Sequence, residues 1–113
     1  MIPSRAPELN ALAALNCRPD APFLPYSELM QRLSALPEWD YVDNQLRKTF
    51  RFANYYETMA FVNAIVWVAH RQDHHPDMSV HYNRISVVWS THDAGGVTLN
   101  DCICAAKIEQ IAP

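Results

Sequence analysis

The sequence predicts an α+β domain, with a four-stranded antiparallel sheet, about three helices on one face, and the order α-β-β-α-β-β-α. Residues 46–52 and 84–91 alternate apolar and polar side chains, as strands do in a sheet with one wet face. Residues 55–72 lie between them and are apolar at helical spacing. Paired strands separated by one long helix are typical of the α+β class.

Residues 1–25 are expected to form an N-terminal arm that precedes a single domain at residues 26–113. The arm contains five prolines, Pro3, Pro7, Pro19, Pro22 and Pro25. A short helix is expected within it, at residues 8–15. Ser27 is predicted to cap the next helix, residues 28–36, which Pro37 would end.

The first hairpin is predicted from residues 39–42 and 46–52, with Asp43-Asn44 as its turn. Leu46, Phe50 and Phe52 would face the core.

Asn54 is predicted to cap the long helix, about residues 55–72. Its apolar side chains form two rows: Tyr55, Met59, Val62, Val66 and Ala69 in one, and Phe61, Ile65 and Val68 in the other. With Trp67 added, more than half of the circumference is apolar. We therefore expect another subunit to cover a second face of this helix.

The second hairpin is predicted from residues 79–82 and 84–91, turning near Asn83. Gly95-Gly96 would make a tight turn. Thr98-Leu99-Asn100-Asp101 has the spacing of a capping box and would begin a last helix that reaches about Ile111.

Composition narrows the class of protein. The chain has 113 residues, 50% of them hydrophobic and 19% charged, so it suits one globular domain and not a disordered one. The net charge of −3 argues against a nucleic-acid partner. No apolar run is long enough for a membrane span or a signal peptide. Cys17, Cys102 and Cys104 lack metal-type spacing, and we expect reduced thiols in a cytoplasmic protein.

Five histidines lie within 23 residues, at positions 70, 74, 75, 81 and 92. His70 and His74 have the i, i+4 spacing of zinc ligands, with Asp77 or His92 to complete a set, but Pro76 disfavours a helix there. A structural interpretation places His74 and His75 at a helix C-terminus, where the helix dipole favours cations. The third interpretation is acid–base chemistry, which suits imidazoles near neutral pH. The hairpin could bring His92 to the same corner.

These histidines belong to a longer pattern. It reads His70-x-x-x-His74-His75-Pro76, then Tyr82-Asn83, then Ser90-Thr91-His92, then Asp101. The pattern resembles the pterin-4a-carbinolamine dehydratases, also called 4a-hydroxytetrahydrobiopterin dehydratases, over about residues 26–113. Residues 17–22 are similar to the N-terminal arm of some bacterial members.

The resemblance implies a reaction: a 4a-hydroxytetrahydropterin, released by aromatic amino-acid hydroxylases, loses water to give quinonoid dihydropterin, which is then recycled. No metal or organic cofactor is implied. His74 and His92 would be general acid/base residues, and His75 would mainly hold the pterin. The ring would be lined by the segments 73–75 and 90–93, that is Asp73, His74, His75, Ser90, Thr91, His92 and Asp93.

Three further residues are expected to support the site: His70, Asp101 and Trp39. Asp101 would cap the last helix and orient a histidine. Trp39 matches a family aromatic near the site, although core packing explains a lone tryptophan equally well. The chain departs from many members in having His70 where they carry an acidic residue, and Met78 where some carry an aromatic.

The expected partners are a pterin substrate and further copies of the chain, as a homodimer or homotetramer. The resemblance also implies a functional link to phenylalanine hydroxylase, and neither nucleic acid nor membrane is expected. One animal member doubles as a dimerisation cofactor of a transcription factor. A protein-binding partner or assembly factor with the same fold is therefore the alternative function.

Overall fold

The computed structural model describes residues 6–113, so the first five residues of the expected arm lie outside it. The helices are α1 Ala6–Ala13, α2 Tyr26–Leu33, α3 Tyr55–Gln72 and α4 Leu99–Ile111, with a short 3-10 turn at His92–Ala94. The strands are β1 Asp40–Val42, β2 Gln45–Arg51, β3 Asp77–His81 and β4 Arg84–Trp89. This confirms the α+β class, and the short helix expected in the arm is present as α1, at Ala6–Ala13 and not at residues 8–15.

The four strands form one antiparallel sheet in the spatial order β1-β2-β4-β3. Both predicted hairpins are present. Asp43 and Asn44 both have positive φ, at 52° and 62°, which is the backbone that a tight two-residue hairpin turn requires. β2 and β4 lie in the middle, with Leu46 opposite Trp89. The central pair therefore connects the start of β2 to the end of β4, where the 3-10 turn follows.

The predicted alternation is present in both central strands. On β4, Ile85, Val87 and Trp89 are fully buried, while the side chains between them are only partly covered. On β2, Leu46 and Phe50 are buried. Helices α3 and α4 pack on this apolar face and on each other. The core therefore lies between the sheet and these two helices.

Helix α4 is the most deeply buried element. All its residues from Asn100 to Ala106 are buried, because α3 and β4 cover one part of it and α1 covers another. The arm helix contributes Leu12 and Ala13 to the core, and Lys107 Nζ donates to the Ala13 carbonyl over 2.7 Å. The arm is therefore held against α4.

The prediction that Ser27 caps α2 is wrong. The helix begins at Tyr26, Pro25 occupies the N-cap, and the first backbone bond runs from Leu29 N–H to the Pro25 carbonyl. Proline has φ fixed near the helical value, so it can lead into a helix without a side-chain cap. The helix also ends at Leu33, before the predicted stop at Pro37, with Ser34 as C-cap.

Helix α3 has the predicted bounds, and the Asn54 side chain accepts the Glu57 N–H as its cap. The core-facing row is Phe61 and Ile65 together with Val62. Two other apolar side chains of α3 remain uncovered, since Val66 is 51% exposed and Trp67 is 60% exposed. No helix within residues 6–113 is both long and apolar enough to cross a membrane.

Candidate active site

The site is built around a hydrogen bond between the segment after α3 and the first turn of α4. Nε2 of His74 lies 2.6 Å from Oδ1 of Asp101. The Asp101 side chain is fully buried, and that of His74 is 15% exposed. The histidine therefore connects a buried carboxylate to the molecular surface.

Asp101 is also the N3 residue of the α4 capping box. Its Oδ2 accepts the backbone N–H of Thr98 at 2.9 Å and the hydroxyl of Thr91 at 2.8 Å. The Thr98 hydroxyl in turn accepts the Asp101 N–H and lies 3.0 Å from the Thr91 hydroxyl. With His74, the carboxylate accepts three hydrogen bonds, which suits the acceptor-only ionised form. The predicted cap and the predicted contact to a histidine are thus one network.

The face of the His74 ring also packs against an aromatic side chain. It stacks on the buried Trp89 ring, with centroids 5.5 Å apart and planes 19° apart. The pKa of His74 is raised above its ordinary value of 6.5, because the hydrogen bond to Asp101 and that carboxylate's charge outweigh the desolvation of the imidazolium. Because Nε2 is engaged with Asp101, Nδ1 is the ring nitrogen left for a ligand.

The position of His74 follows from how α3 ends. Asp73 adopts the left-handed conformation, with φ 51° and ψ 43°, as C-cap residues commonly do. The His74 N–H then closes the helix by donating to the Ala69 carbonyl over 3.2 Å. Both histidines therefore lie beyond the helix. Pro76 follows them and leads directly into β3 at Asp77, so His74 and His75 occupy an extended corner between the two elements.

A small cleft of about 280 Å³ brings the three predicted catalytic histidines together. It is lined by His74, His75, Asp77, Val88, Ser90, Thr91, His92 and Asp93. Its volume is close to the lower end of the roughly 300–1,000 Å³ that is typical of small-molecule sites. Six of the seven residues predicted to line a substrate are present on its wall.

A second, larger cleft of about 740 Å³ adjoins it, and His74, Thr91 and Asp93 line both. Asp73, the seventh predicted residue, lines this larger space. Its other walls are the arm segment from Cys17 to Phe23, the end of α3 at Arg71 and Gln72, and Asn100 on α4. The arm thus forms one side of the region in front of His74.

Two of the three predicted supporting residues lie elsewhere. Trp39 is buried against Phe50, and its Nε1–H donates to Glu109 over 2.9 Å, outside both clefts. His70 is exposed and packs beside the Trp67 ring. Within residues 6–113, no three His, Cys, Asp or Glu side chains are grouped as metal ligands.

Two residues on the wall of the small cleft were not predicted to line a substrate. Asp77 and Val88 line the small cleft, and their pairing across β3 and β4 explains their proximity. The similarity of residues 17–22 to bacterial arms was the one available signal for the arm wall. Three imidazoles therefore surround a cleft of ligand size, and the pKa of one of them, His74, is raised. Such a site can donate a proton at one position and accept one at another.

Known proteins of one family are similar to this chain over most of its length. The family model for pterin 4 alpha carbinolamine dehydratase matches residues 23–111. A protein of Chromobacterium violaceum is 60% identical over 102 residues, which cover 88% of this chain and 94% of its own. One of Nitrosospira multiformis is 46% identical over 91% of this chain and 94% of its own. Both carry the provisional name pterin-4-alpha-carbinolamine dehydratase.

Solved structures show the same fold. A Brucella melitensis protein described as a transcriptional coactivator/pterin dehydratase superposes with a TM-score of 0.77 at 34% identity, over 80% of this chain and 98% of its own. A pterin dehydratase-like protein described as a RuBisCO assembly factor in the alpha-carboxysome superposes with a TM-score of 0.55 at 20% identity, over 66% of this chain and 86% of its own. The second likeness is one of fold alone.

Proposed function

The chain belongs to the pterin 4 alpha carbinolamine dehydratase family, and from this premise we propose that it dehydrates 4a-hydroxytetrahydropterin to quinonoid dihydropterin. The observation that carries the proposal is the His74–Asp101 hydrogen bond at the wall of a cleft that His75 and His92 also line. The reaction breaks the C4a–O bond and removes the proton from N5. It therefore needs one proton donor and one proton acceptor at different positions.

His74 is assigned the role of general acid. Its raised pKa keeps a larger fraction of the ring protonated near neutral pH, and an imidazolium can donate its Nδ1 proton to the departing hydroxyl. Before the transfer, Asp101 stabilises the His74 imidazolium by accepting its Nε2–H. After the transfer, the same hydrogen bond holds the neutral ring in place. Such an acid contributes roughly 10²–10⁴-fold to a rate.

His92 is assigned the role of general base, and His75 that of holding the pterin. Both side chains are exposed to the cleft solvent. His92 takes the N5 proton as the C4a–O bond breaks, so the products are quinonoid dihydropterin and water. A net proton then returns from His92 to His74 through solvent. This chemistry requires no metal or organic cofactor, and it serves the recycling of tetrahydropterin after aromatic amino-acid hydroxylation.

The test is a dehydration assay on chemically generated 4a-hydroxytetrahydropterin, followed by the absorbance of the quinonoid product. We expect the wild-type protein to accelerate dehydration well beyond buffer and beyond heat-unfolded protein. His75→Ala should raise KM more than it lowers kcat, because binding is the role assigned to it. Wild-type protein no faster than buffer would overturn the proposal.

A second candidate function is protein binding. One similar structure is described as a transcriptional coactivator/pterin dehydratase, and α3 exposes Val66 and Trp67. Exposed apolar side chains of this size on one helix suit a protein interface. Affinity capture with wild-type protein and with Trp67→Glu tests whether a partner protein binds to this face of α3. A partner retained equally by both proteins would remove this surface from consideration.

A further inference from the structure

Two cysteines that are far apart in the sequence meet behind the candidate active site. Sγ of Cys17, in the arm, lies 3.5 Å from Sγ of Cys104 on α4. A disulfide requires about 2.05 Å, so the two sulfurs need to approach by only about 1.5 Å. Both are free thiols, as is Cys102.

The arm is anchored on both sides of Cys17. The Cys17 N–H donates to Oε1 of Gln72 at the end of α3, over 2.7 Å. The next residue, Arg18, exchanges two hydrogen bonds with the Asn100 side chain on α4, at 3.1 Å and 2.8 Å. These contacts hold the two thiols side by side, so their proximity does not depend on a chance encounter of a loose segment.

The two sulfurs differ in exposure. Cys17 is half-buried and lines the larger cleft, whereas Cys104 is fully buried. A small oxidant in the cleft can therefore reach Cys17 directly, while Cys104 is reached only through Cys17. This is the arrangement of an attacking thiol and a resolving thiol.

The pKa shifts of the three thiols also indicate that Cys17 is the attacking one. The hydrogen bond with Cys104 lowers the pKa of the Cys17 thiol, and the nearby charges of His74 and Lys107 act in the same direction. The same contact, together with burial, raises the pKa of Cys104. Burial also raises the pKa of Cys102, to about 12. Since thiolates are the nucleophiles, Cys17 is the most reactive of the three.

We propose that Cys17 and Cys104 form an oxidation site that hydroperoxides convert to an intramolecular disulfide. The Cys17 thiolate attacks the peroxide, forming an S–O bond and a sulfenic acid as the O–O bond breaks. The departing hydroxide or alkoxide takes up a proton, so sulfur is oxidised and peroxide reduced. The Cys104 thiol then attacks the Cys17 sulfur, and water leaves with the Cys104 proton as the S–S bond forms. The arm becomes covalently fixed to α4, and a reducing thiol reverses the bond.

The experiment treats wild-type protein with one equivalent of hydrogen peroxide, blocks the remaining thiols, and measures the intact mass and tryptic peptides without reduction. We expect a loss of two hydrogens per chain and one cross-link, joining the peptide that contains Cys17 to the peptide that contains Cys102 and Cys104. Cys102→Ala assigns the bond, because only one residue separates these two positions and trypsin cannot cut between them.

The cross-link should persist in Cys102→Ala and be absent from Cys17→Ser. Dithiothreitol should restore three free thiols in the wild type. The proposal fails if oxidised wild-type protein keeps all three thiols open to alkylation, if the bond involves Cys102, or if it joins two chains. Because the unreduced intact mass and thiol alkylation of the wild type decide the first and third outcomes, the test does not depend on whether a variant folds. The readout uses no pterin, so it is independent of the proposed reaction.

Discussion

Nε2 of His74 lies 2.6 Å from Oδ1 of Asp101, and the same carboxylate caps the first turn of α4 through its other oxygen. One buried group therefore serves folding and the candidate chemistry together. The carboxylate of Asp101 is positioned by the capping box at the start of α4, which involves only neighbouring residues. Its partner His74 is positioned by the end of α3. Changes at Asp101 should consequently alter both the stability of the protein and the pKa of His74.

The first prediction concerns the pKa of His74 itself. Titration by two-dimensional NMR of the imidazole nitrogens should give a pKa above the ordinary 6.5. In Asp101→Asn the pKa of His74 should fall, since a neutral amide no longer stabilises the imidazolium. Asp93→Asn is the matched control, because Asp93 lines the same clefts and makes no hydrogen bond to His74. An unchanged His74 pKa in Asp101→Asn would contradict the electrostatic account.

The second prediction concerns how stability changes with pH. The folded-state pKa of His74 is raised, so the folded protein binds this proton more tightly than the unfolded chain does. The stabilisation is complete below the unfolded pKa, near 6.5, and is lost as pH rises through the folded pKa.

Urea unfolding of wild type and His74→Asn should therefore show a stability difference that is largest below about pH 6.5 and shrinks as the pH rises above it. A difference that stays constant or grows over that range would mean that His74 does not gain its proton preference on folding.

The third prediction concerns the cost of removing Asp101. Asp101→Ala should lower the free energy of unfolding by about 2–4 kcal/mol. Loss of the helix cap accounts for about 1 kcal/mol, and the Thr91 hydroxyl and His74 left without their acceptor account for about 1–3 kcal/mol. Asp77→Ala removes an exposed carboxylate of the small cleft, and its effect should stay within about 0.5 kcal/mol. Chemical denaturation checks both values, and equal effects of the two substitutions would contradict the buried network.

The fourth prediction concerns assembly. If the exposed face of α3 at Val66 and Trp67 joins subunits, light scattering should give a mass that is a multiple of 12.9 kDa. Val66→Glu and Trp67→Glu should each lower that mass, because a carboxylate in an apolar interface is desolvated without a partner. Tyr26→Glu, at an exposed aromatic on α2, should leave it unchanged. A monomeric wild type would end the expectation of an oligomer.

Much of the fold could be predicted from short sequence patterns. Asn54, the alternation on β2 and β4 and the capping box each act within a few residues of where they stand in the chain, and each was predicted correctly. Ser27 was misread because Pro25, two residues earlier, supplies an equally good helix start.

The candidate site could be predicted only in part, because its main side-chain contacts join residues that are far apart in the sequence. Adjacent His74 and His75 look alike in the sequence, and nothing local shows which one meets a buried carboxylate 27 positions away. The meeting of Cys17 and Cys104, 87 positions apart, depends on how the arm lies across α4. Helix caps and strand faces are set by neighbours, whereas these pairings are set by the packing of whole elements.

The most direct test of the central claim is the single-turnover rate of 4a-hydroxytetrahydropterin dehydration by wild type, His74→Ala and His81→Ala. His81 is an exposed histidine on β3 outside both clefts, so its removal controls for the loss of an imidazole as such. We predict that His74→Ala lowers the rate by roughly 10²–10⁴-fold, while His81→Ala matches wild type. Equal rates for wild type and His74→Ala, with both proteins folded, would contradict it.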